Sequence, residues 1–424
     1  MRPGESSGRR AGVRRRVGAL LAAAGLAAAE GFAAAPALSL HGDVRSLLAG
    51  LHDYPNPRLG WEGEDGASCE TVLRLIGEAR LREDVALELH GGQRVRFETL
   101  EGERAGRIGW DGLRSPAGRY RATDEDGVWA EHEDGSAEWF LDRLALKVAL
   151  PRADLAVGRQ AVNFNQAWFW NPLDVFAPFG ALQFDRDYKP GVDAARLDVP
   201  LGPLAGASLV GALGRETESA DVSWAGSALL ARAYATWRAW DWAAQGGKIC
   251  GGHMAGGSAV GELGPLAVRA EAAHFAPEET GGLSAIGLTE HAEVVLGAGR
   301  RFADAWDVEA EYFFNGAGAG TAAHLDEALP RVAAGTARQM GRHFLGAALR
   351  REFHPRWKGS LVWILSGTDG SSILQPGIAY SAAAGADVLL GALVGLGAGP
   401  DGTTVKTEFG AYPDIVYLEL KLYF

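Results

Sequence analysis

The last nine residues, 416–424, alternate without a fault: Val416, Leu418, Leu420, Leu422 and Phe424 on one parity, Tyr417, Glu419, Lys421 and Tyr423 on the other. A period of two belongs to a strand, whose successive side chains leave the pleat on opposite faces. One face here is oily and the other polar. The pattern recurs in residues 71–82, where Leu73, Leu75, Gly77, Ala79 and Leu81 alternate with Arg74, Glu78, Arg80 and Arg82. In residues 306–314, Val308, Ala310, Tyr312 and Phe314 alternate with Asp307, Glu309 and Glu311. A soluble sandwich strand with its oily face in a core would alternate in the same way.

Connection lengths separate the two. Strands read in order are joined by short links at 83–84, 151–153, 202–206, 238–240, 264–265, 303–305, 354–356 and 383–385. Between these lie mostly long connections, at 50–67, 98–134, 163–191, 216–226, 276–290, 315–342, 367–371 and 398–413. One connection, Gly251-Gly252, is short where the rhythm calls for a long one. Short turns on one side and long loops on the other are the arrangement of a transmembrane β-barrel. The expected fold is therefore all-β: an antiparallel barrel of about 18 strands, one domain over residues 38–424, with short periplasmic turns and long extracellular loops. Beyond the first 37 residues no apolar run reaches the ~20 residues of a spanning helix, the longest being the glycine-rich 388–399.

Those first 37 residues differ in kind. Arg9, Arg10, Arg14, Arg15 and Arg16 precede an apolar run at 17–29, and small residues follow to Ala37. This is the layout of a secretory signal peptide, its core too short to span a bilayer. Ala35 and Ala37 supply the small residues for cleavage after Ala37, with Ala29 as the other site. Neither arginine pair is followed by the bulky apolar residues of twin-arginine export, so the general secretory route is expected. The formal charge of −12 becomes about −16 once the leader's six arginines and two glutamates go, which argues against nucleic acid as a partner. Two cysteines, Cys69 and Cys250, give no disulfide framework, although one bridge would be compatible with an oxidising compartment.

If charged members of alternating strands face inward, one wall of the lumen is basic and another acidic. Arg74, Arg80, Arg82, Arg94, Arg96, Arg143, Lys147, Arg196 and Arg232 come from the first half of the chain. Glu271, Glu293, Glu309 and Glu311 come from the second. Opposed charge in a water-filled pore orients and selects solutes, whereas the same charges paired across neighbouring strands only fill the lumen. Arg159 shares parity with the oily Leu155 and Val157, so a bulge at Gly158 is expected to return it to the interior.

The third long connection contains Trp168-Phe169-Trp170-Asn171-Pro172-Leu173-Asp174-Val175-Phe176. An exposed loop this aromatic would be sticky in water, so it is expected to fold into the barrel mouth, as a solute platform, a packed plug or a protomer contact. Val157-Gly158-Arg159-Gln160, Phe169-Trp170-Asn171-Pro172, Asp174-Val175-Phe176 and Asp187-Tyr188-Lys189-Pro190-Gly191-Val192-Asp193 together resemble the porin-like outer-membrane proteins of Gram-negative bacteria. The architecture is similar to large substrate-selective porins and alginate-export-type barrels. That resemblance implies transport, a constriction-loop role for Trp168, Phe169, Trp170, Asn171 and Asp174, and an eyelet role for Arg159.

No cofactor is called for. Asp185, Asp187 and Asp193 are the weak candidates for a calcium ion, and Asp124-Glu125-Asp126-Gly127 reads as a solvated loop tip. The histidines have no zinc spacing, and no Gly-x-Ser-x-Gly elbow marks a hydrolase. The expected partners are outer-membrane lipid and lipopolysaccharide, a small polar solute, and the barrel-assembly machinery through the terminal strand ending in Phe424. The sequence leaves a homotrimer open. The expected function is passive diffusion of small polar or charged solutes, the alternatives being a non-conducting structural or surface-binding barrel and a barrel-embedded hydrolase.

Overall fold

A computed structural model describes residues 37–52, 65–99, 117–123, 126–180, 187–216, 221–278, 289–302, 305–333, 337–402 and 404–424. Residues 1–36 of the expected leader, Asp124, Glu125 and Asp185 lie outside the described residues, and Ala37 opens the first strand. Oily and charged residues alternate because each strand has lipid on one side and the interior on the other, and the chain meets that demand as hairpins. The first half comprises β1 (Ala37–His52), β2 (Gly66–Arg82), β3 (Val85–Glu98), β4 (Asp126–His132), β5 (Gly135–Leu150), β6 (Ala153–Gln160), β7 (Val192–Gly202), β8 (Ala205–Gly214) and β9 (Ser223–Trp237). The second half comprises β10 (Trp240–Ile249), β11 (Gly252–Leu263), β12 (Leu266–Pro277), β13 (His291–Arg301), β14 (Trp306–Asn315), β15 (His343–His354), β16 (Trp357–Ser366), β17 (Ser372–Ala383), β18 (Ala386–Leu396) and β19 (Asp414–Tyr423).

Every pairing between neighbouring strands is antiparallel, and β19 returns to pair with β1 from Asp43↔Tyr423 to His52↔Asp414. The ring has eighteen members, because β4 pairs only with β5 while β3 and β5 pair directly. Closure leaves no open edge in the ring, which is what a sheet needs in hydrocarbon. The short links fall where the sequence puts them, and Ile249 and Gly252 are indeed joined by two residues on the long-loop side. The terminal alternation becomes a facing: Leu418, Leu420 and Leu422 are 37–43% exposed on the outside, while Glu419 is 0% exposed inside.

Three local expectations are corrected. Asp126 and Gly127 do not sit at a loop tip; they open β4, which doubles back on β5 from Asp126↔Phe140 to His132↔Gly135. The β5–β6 ladder runs without a shift through Ala145↔Gly158, so β6 has no bulge. The extra residue is Asp142 on β5, where His90 pairs with Arg143 and Gly91 with Leu141. Gly158 serves Arg159 in another way: its φ of 123° is open to glycine, and a Cβ there would lie 2.2 Å from the Leu144 carbonyl oxygen. Cys69 and Cys250 are both free thiols.

Candidate functional site

Carboxylates on the inner face of the barrel need partners, and in β12 and β14 those partners come from the third long connection. Glu271 and Glu311 are each 1% exposed. Glu271 Oε1 accepts the backbone N–H groups of Gln166 (2.6 Å) and Ala167 (2.9 Å), and its Oε2 accepts that of Leu173 at 3.5 Å. Glu311 accepts those of Trp168 (2.5 Å) and Phe169 (2.7 Å). Arg269 balances the pocket, its Nε 2.8 Å from Glu311 and its terminal nitrogen ion-paired with Glu309. A loop has orphan amides that must be satisfied once buried, and charge-assisted acceptors satisfy them most strongly.

The aromatic run then packs into the interior. Trp170 stacks on Phe313 with centroids 5.2 Å apart, tilts against Phe344 at 6.1 Å, and donates Nε1–H to Gln339 Oε1 at 2.7 Å. Gly346 leaves the space it needs, since a Cβ there would come within 2.8 Å of the Phe169 ring. The apolar cluster continues through Ile364, Ile373, Leu393 and Phe409. Phe169 and Trp170 are thereby fully buried, Leu173 and Phe176 are fully buried in a second apolar cluster with Tyr120 and Phe164, and Trp168 alone among the predicted aromatics keeps partial exposure, with Arg350 over its ring at 5.3 Å.

Residues 338–341 hold the loop from its other flank. Arg338 donates to the Asn171 carbonyl at 2.7 Å and lies 3.4 Å from Glu293. Met340 and Gly341 donate their backbone N–H groups to Glu408 at 3.1 and 2.8 Å. Burial pushes the Glu408 carboxyl up to about 7. Asp174 and Lys189 form a buried ion pair inside the loop. Burial raises the Asp174 carboxyl and lowers the Lys189 amine, and each charge works against the other's shift.

The return leg reaches the basic wall. The Tyr188 ring lies between the guanidinium groups of Arg74 (3.7 Å) and Arg143 (4.6 Å), and its hydroxyl is 3.0 Å from His90 Nδ1. Arg143 also donates to the Lys189 carbonyl at 2.7 Å. Around the eighteen-strand ring, β2, β3 and β5 stand nine places from β12, β13 and β14. The third loop is a strap between diametrically opposed walls.

The remaining predicted pore residues are mostly engaged with neighbours. Arg94 bonds Glu138 at 2.5 Å, Arg96 bonds Glu70 at 2.8 Å, and Arg232 bonds Gln245, which itself donates to the Leu173 carbonyl at 2.6 Å. Arg159 does not present a free guanidinium: it is 4% exposed and donates to Asp193 and to the Leu141 carbonyl, both at 2.8 Å. On the short-turn side, Arg80, Arg82, Lys147 and Arg196 open onto a cavity of about 560 Å³ shared with Glu88, Asp154 and Asp198. Lys147 is 2.7 Å from Glu88, and Arg196 is 2.8 Å from Asp198. Asp187 accepts from Lys421 at 2.7 Å. Among the described residues, no group of three or more histidines, cysteines or acids could hold a metal ion.

No protein-family model and no curated protein matches the chain. Solved structures do. It is similar to a BenF-like porin from Pseudomonas fluorescens Pf-5 with a TM-score of 0.55 at 10% identity, covering 93% of this chain and 99% of that one. It is similar to the outer-membrane protein OpdK from Pseudomonas aeruginosa with a TM-score of 0.52 at 10% identity, over 91% and 98%. For OccAB4 from Acinetobacter baumannii the TM-score is 0.51 at 8% identity, over 91% and 98%. At such identity the likeness is one of fold, and the fold is that of the outer-membrane porins.

Proposed function

We propose that the protein is a passive outer-membrane channel for small polar or charged solutes, with the strapped third loop as its narrow section. The observation that carries this reading is the strap itself: one loop is tied by its backbone to Glu271 and Glu311 and by Tyr188 to Arg74 and Arg143 across the lumen. A loop held at both walls divides the cross-section into gaps of fixed width, which is how a barrel of this size excludes large solutes. The charged cavity on the short-turn side then meets the solute as it leaves. On this reading residues 1–37 are removed on export, and the strand ending in Phe424 is what the assembly machinery reads.

A second reading has its own support. The cluster of Phe169, Trp170, Phe313, Phe344 and Phe409 is buried and continuous, as in a plugged, non-conducting barrel. Planar-bilayer recording separates the two. Discrete conductance steps that change with the charge of the permeant ion are expected of the channel, and a protein that folds and inserts without conducting would leave the plug.

A further inference from the structure

At the short-turn end of β13–β15 the lipid-facing surface carries arginine among aromatics. The alternation that buries Glu293 and Val295 turns Leu296 and Arg300 outward, and both are exposed. Arg351, two residues past the exposed Leu349, stands opposite Trp306 across the β14–β15 ladder. The Arg300 guanidinium lies 4.6 Å over the Phe302 ring, and that of Arg351 lies 4.8 Å over Trp306 and 5.8 Å over Phe353. Among the described residues neither arginine has a carboxylate in ion-pair contact, and Arg351 Nε is buried without a hydrogen-bond acceptor. The neighbouring inward arginines differ: Arg301 faces Asp307 at 3.9 Å and Arg269 faces Glu311 at 2.8 Å.

Unpaired charge on the lipid face is costly at mid-bilayer and tolerable only near the interface, where an anion is within reach. Aromatic girdles mark that interface, so the three rings set the depth of these two arginines at headgroup level. The anions at this depth and on this face are lipid phosphates. A guanidinium presents its N–H groups as a planar fork that matches a phosphate with two parallel hydrogen bonds, even while its face rests on a ring. Two strand spacings and two residues separate the α-carbons of Arg300 and Arg351, roughly 12 Å by ladder geometry, so their side chains can approach one headgroup from two sides.

We propose that Arg300 and Arg351, seated on Phe302, Trp306 and Phe353, form a binding site for the phosphate of an anionic glycerophospholipid in the periplasmic leaflet. The site rests on the barrel's placement in a membrane and not on conduction, and its test reads bound lipid. Full-length protein in nanodiscs of equal phosphatidylglycerol and phosphatidylcholine is released and its retained lipids are weighed by native mass spectrometry. Wild type should retain phosphatidylglycerol over phosphatidylcholine by about fivefold or more, and R300Q/R351Q should bring that ratio to within about twofold of unity. R301Q, which removes the inward neighbour, should keep the wild-type ratio. If the double variant fails to insert, R300Q alone at the exposed position should still lower the ratio by about half. A wild type without preference, or a double variant that keeps it, overturns the site; displacement of the lipid by millimolar inorganic phosphate would show a free-anion site instead.

Discussion

The two ends of the strap are held by different chemistry. On the β12–β14 wall, Glu271 and Glu311 accept five main-chain N–H groups, those of Gln166, Ala167, Trp168, Phe169 and Leu173. On the β2–β5 wall, Arg74 and Arg143 grip one side chain, Tyr188. The acidic wall fixes the path of the backbone and is indifferent to which side chains ride on it. The basic wall recognises a ring at one position and adds a single main-chain contact, from Arg143 to the Lys189 carbonyl. Of the charges that alternation alone presents as elements of a pore field, Arg74, Arg143, Glu271 and Glu311 hold the loop, whereas Arg94 and Arg96 pair with carboxylates on neighbouring strands.

Substitutions should separate the two ends. The largest effect is expected from E271A/E311A, which leaves five amides without their acceptor, those of Ala167, Phe169 and Leu173 buried at a cost of ~1–3 kcal/mol each. The outgoing leg should come free, single-channel conductance should at least about double, and hydrogen exchange at residues 166–169 should accelerate; unchanged exchange would remove the acidic anchorage. W170A should lower stability by ~3–5 kcal/mol, read by thermal or denaturant unfolding, because it empties the stack on Phe313 and frees Gln339.

At the basic end the losses should be smaller and specific to the ring. Y188A gives up two cation–π contacts worth ~0.5–2 kcal/mol each, whereas Y188F gives up only the hydroxyl bond to His90, ~0.5–1.5 kcal/mol. Equal losses in Y188A and Y188F would show that the hydroxyl, and not the stacked ring, is what the wall holds.

A pH-dependent effect concerns Glu408, which repeats the acidic anchorage outside the membrane by accepting the Met340 and Gly341 amides. Its carboxyl is raised from 4.5 to about 7 by burial, so the folded state binds a proton that the unfolded state releases. Stability from this group is full below pH 4.5 and is lost as pH rises through about 7. E408Q, which cannot titrate, should flatten that part of the melting-temperature profile; a profile identical to wild type would assign the pH dependence elsewhere.

The barrel was legible because hydrocarbon imposes a rule at every residue. Leu418, Leu420 and Leu422 must face out, Glu419 must face in, and the links at 83–84 or 264–265 can only be tight turns. The interior obeys no such period. Alternation told which face Glu271 occupies but not that a loop more than a hundred residues away covers it. Gln339, Gln245 and Arg338, which hold the strap, carry no signal in their own neighbourhoods. Tyr188 did, since it lies within the Asp187-Tyr188-Lys189-Pro190 run, although its role between two arginines depends on pairing across β2, β3 and β5. The extra residue at Asp142 escaped because Gly158 offered a cheaper local explanation for the facing of Arg159.

The seam between β1 and β19 joins residues some 380 positions apart in the chain. Loop closure over that length is among the slowest contacts a chain can make, and none of the hairpins between depends on it. The seam should therefore form last, after the other strands have zipped pairwise. Until then β1 and β19 each carry one unpaired edge, on which Val44 and Leu48 wait for Leu422 and Leu418. Insertion and closure are for this reason a single kinetic problem, and the strand at the end of the sequence is where its outcome is decided.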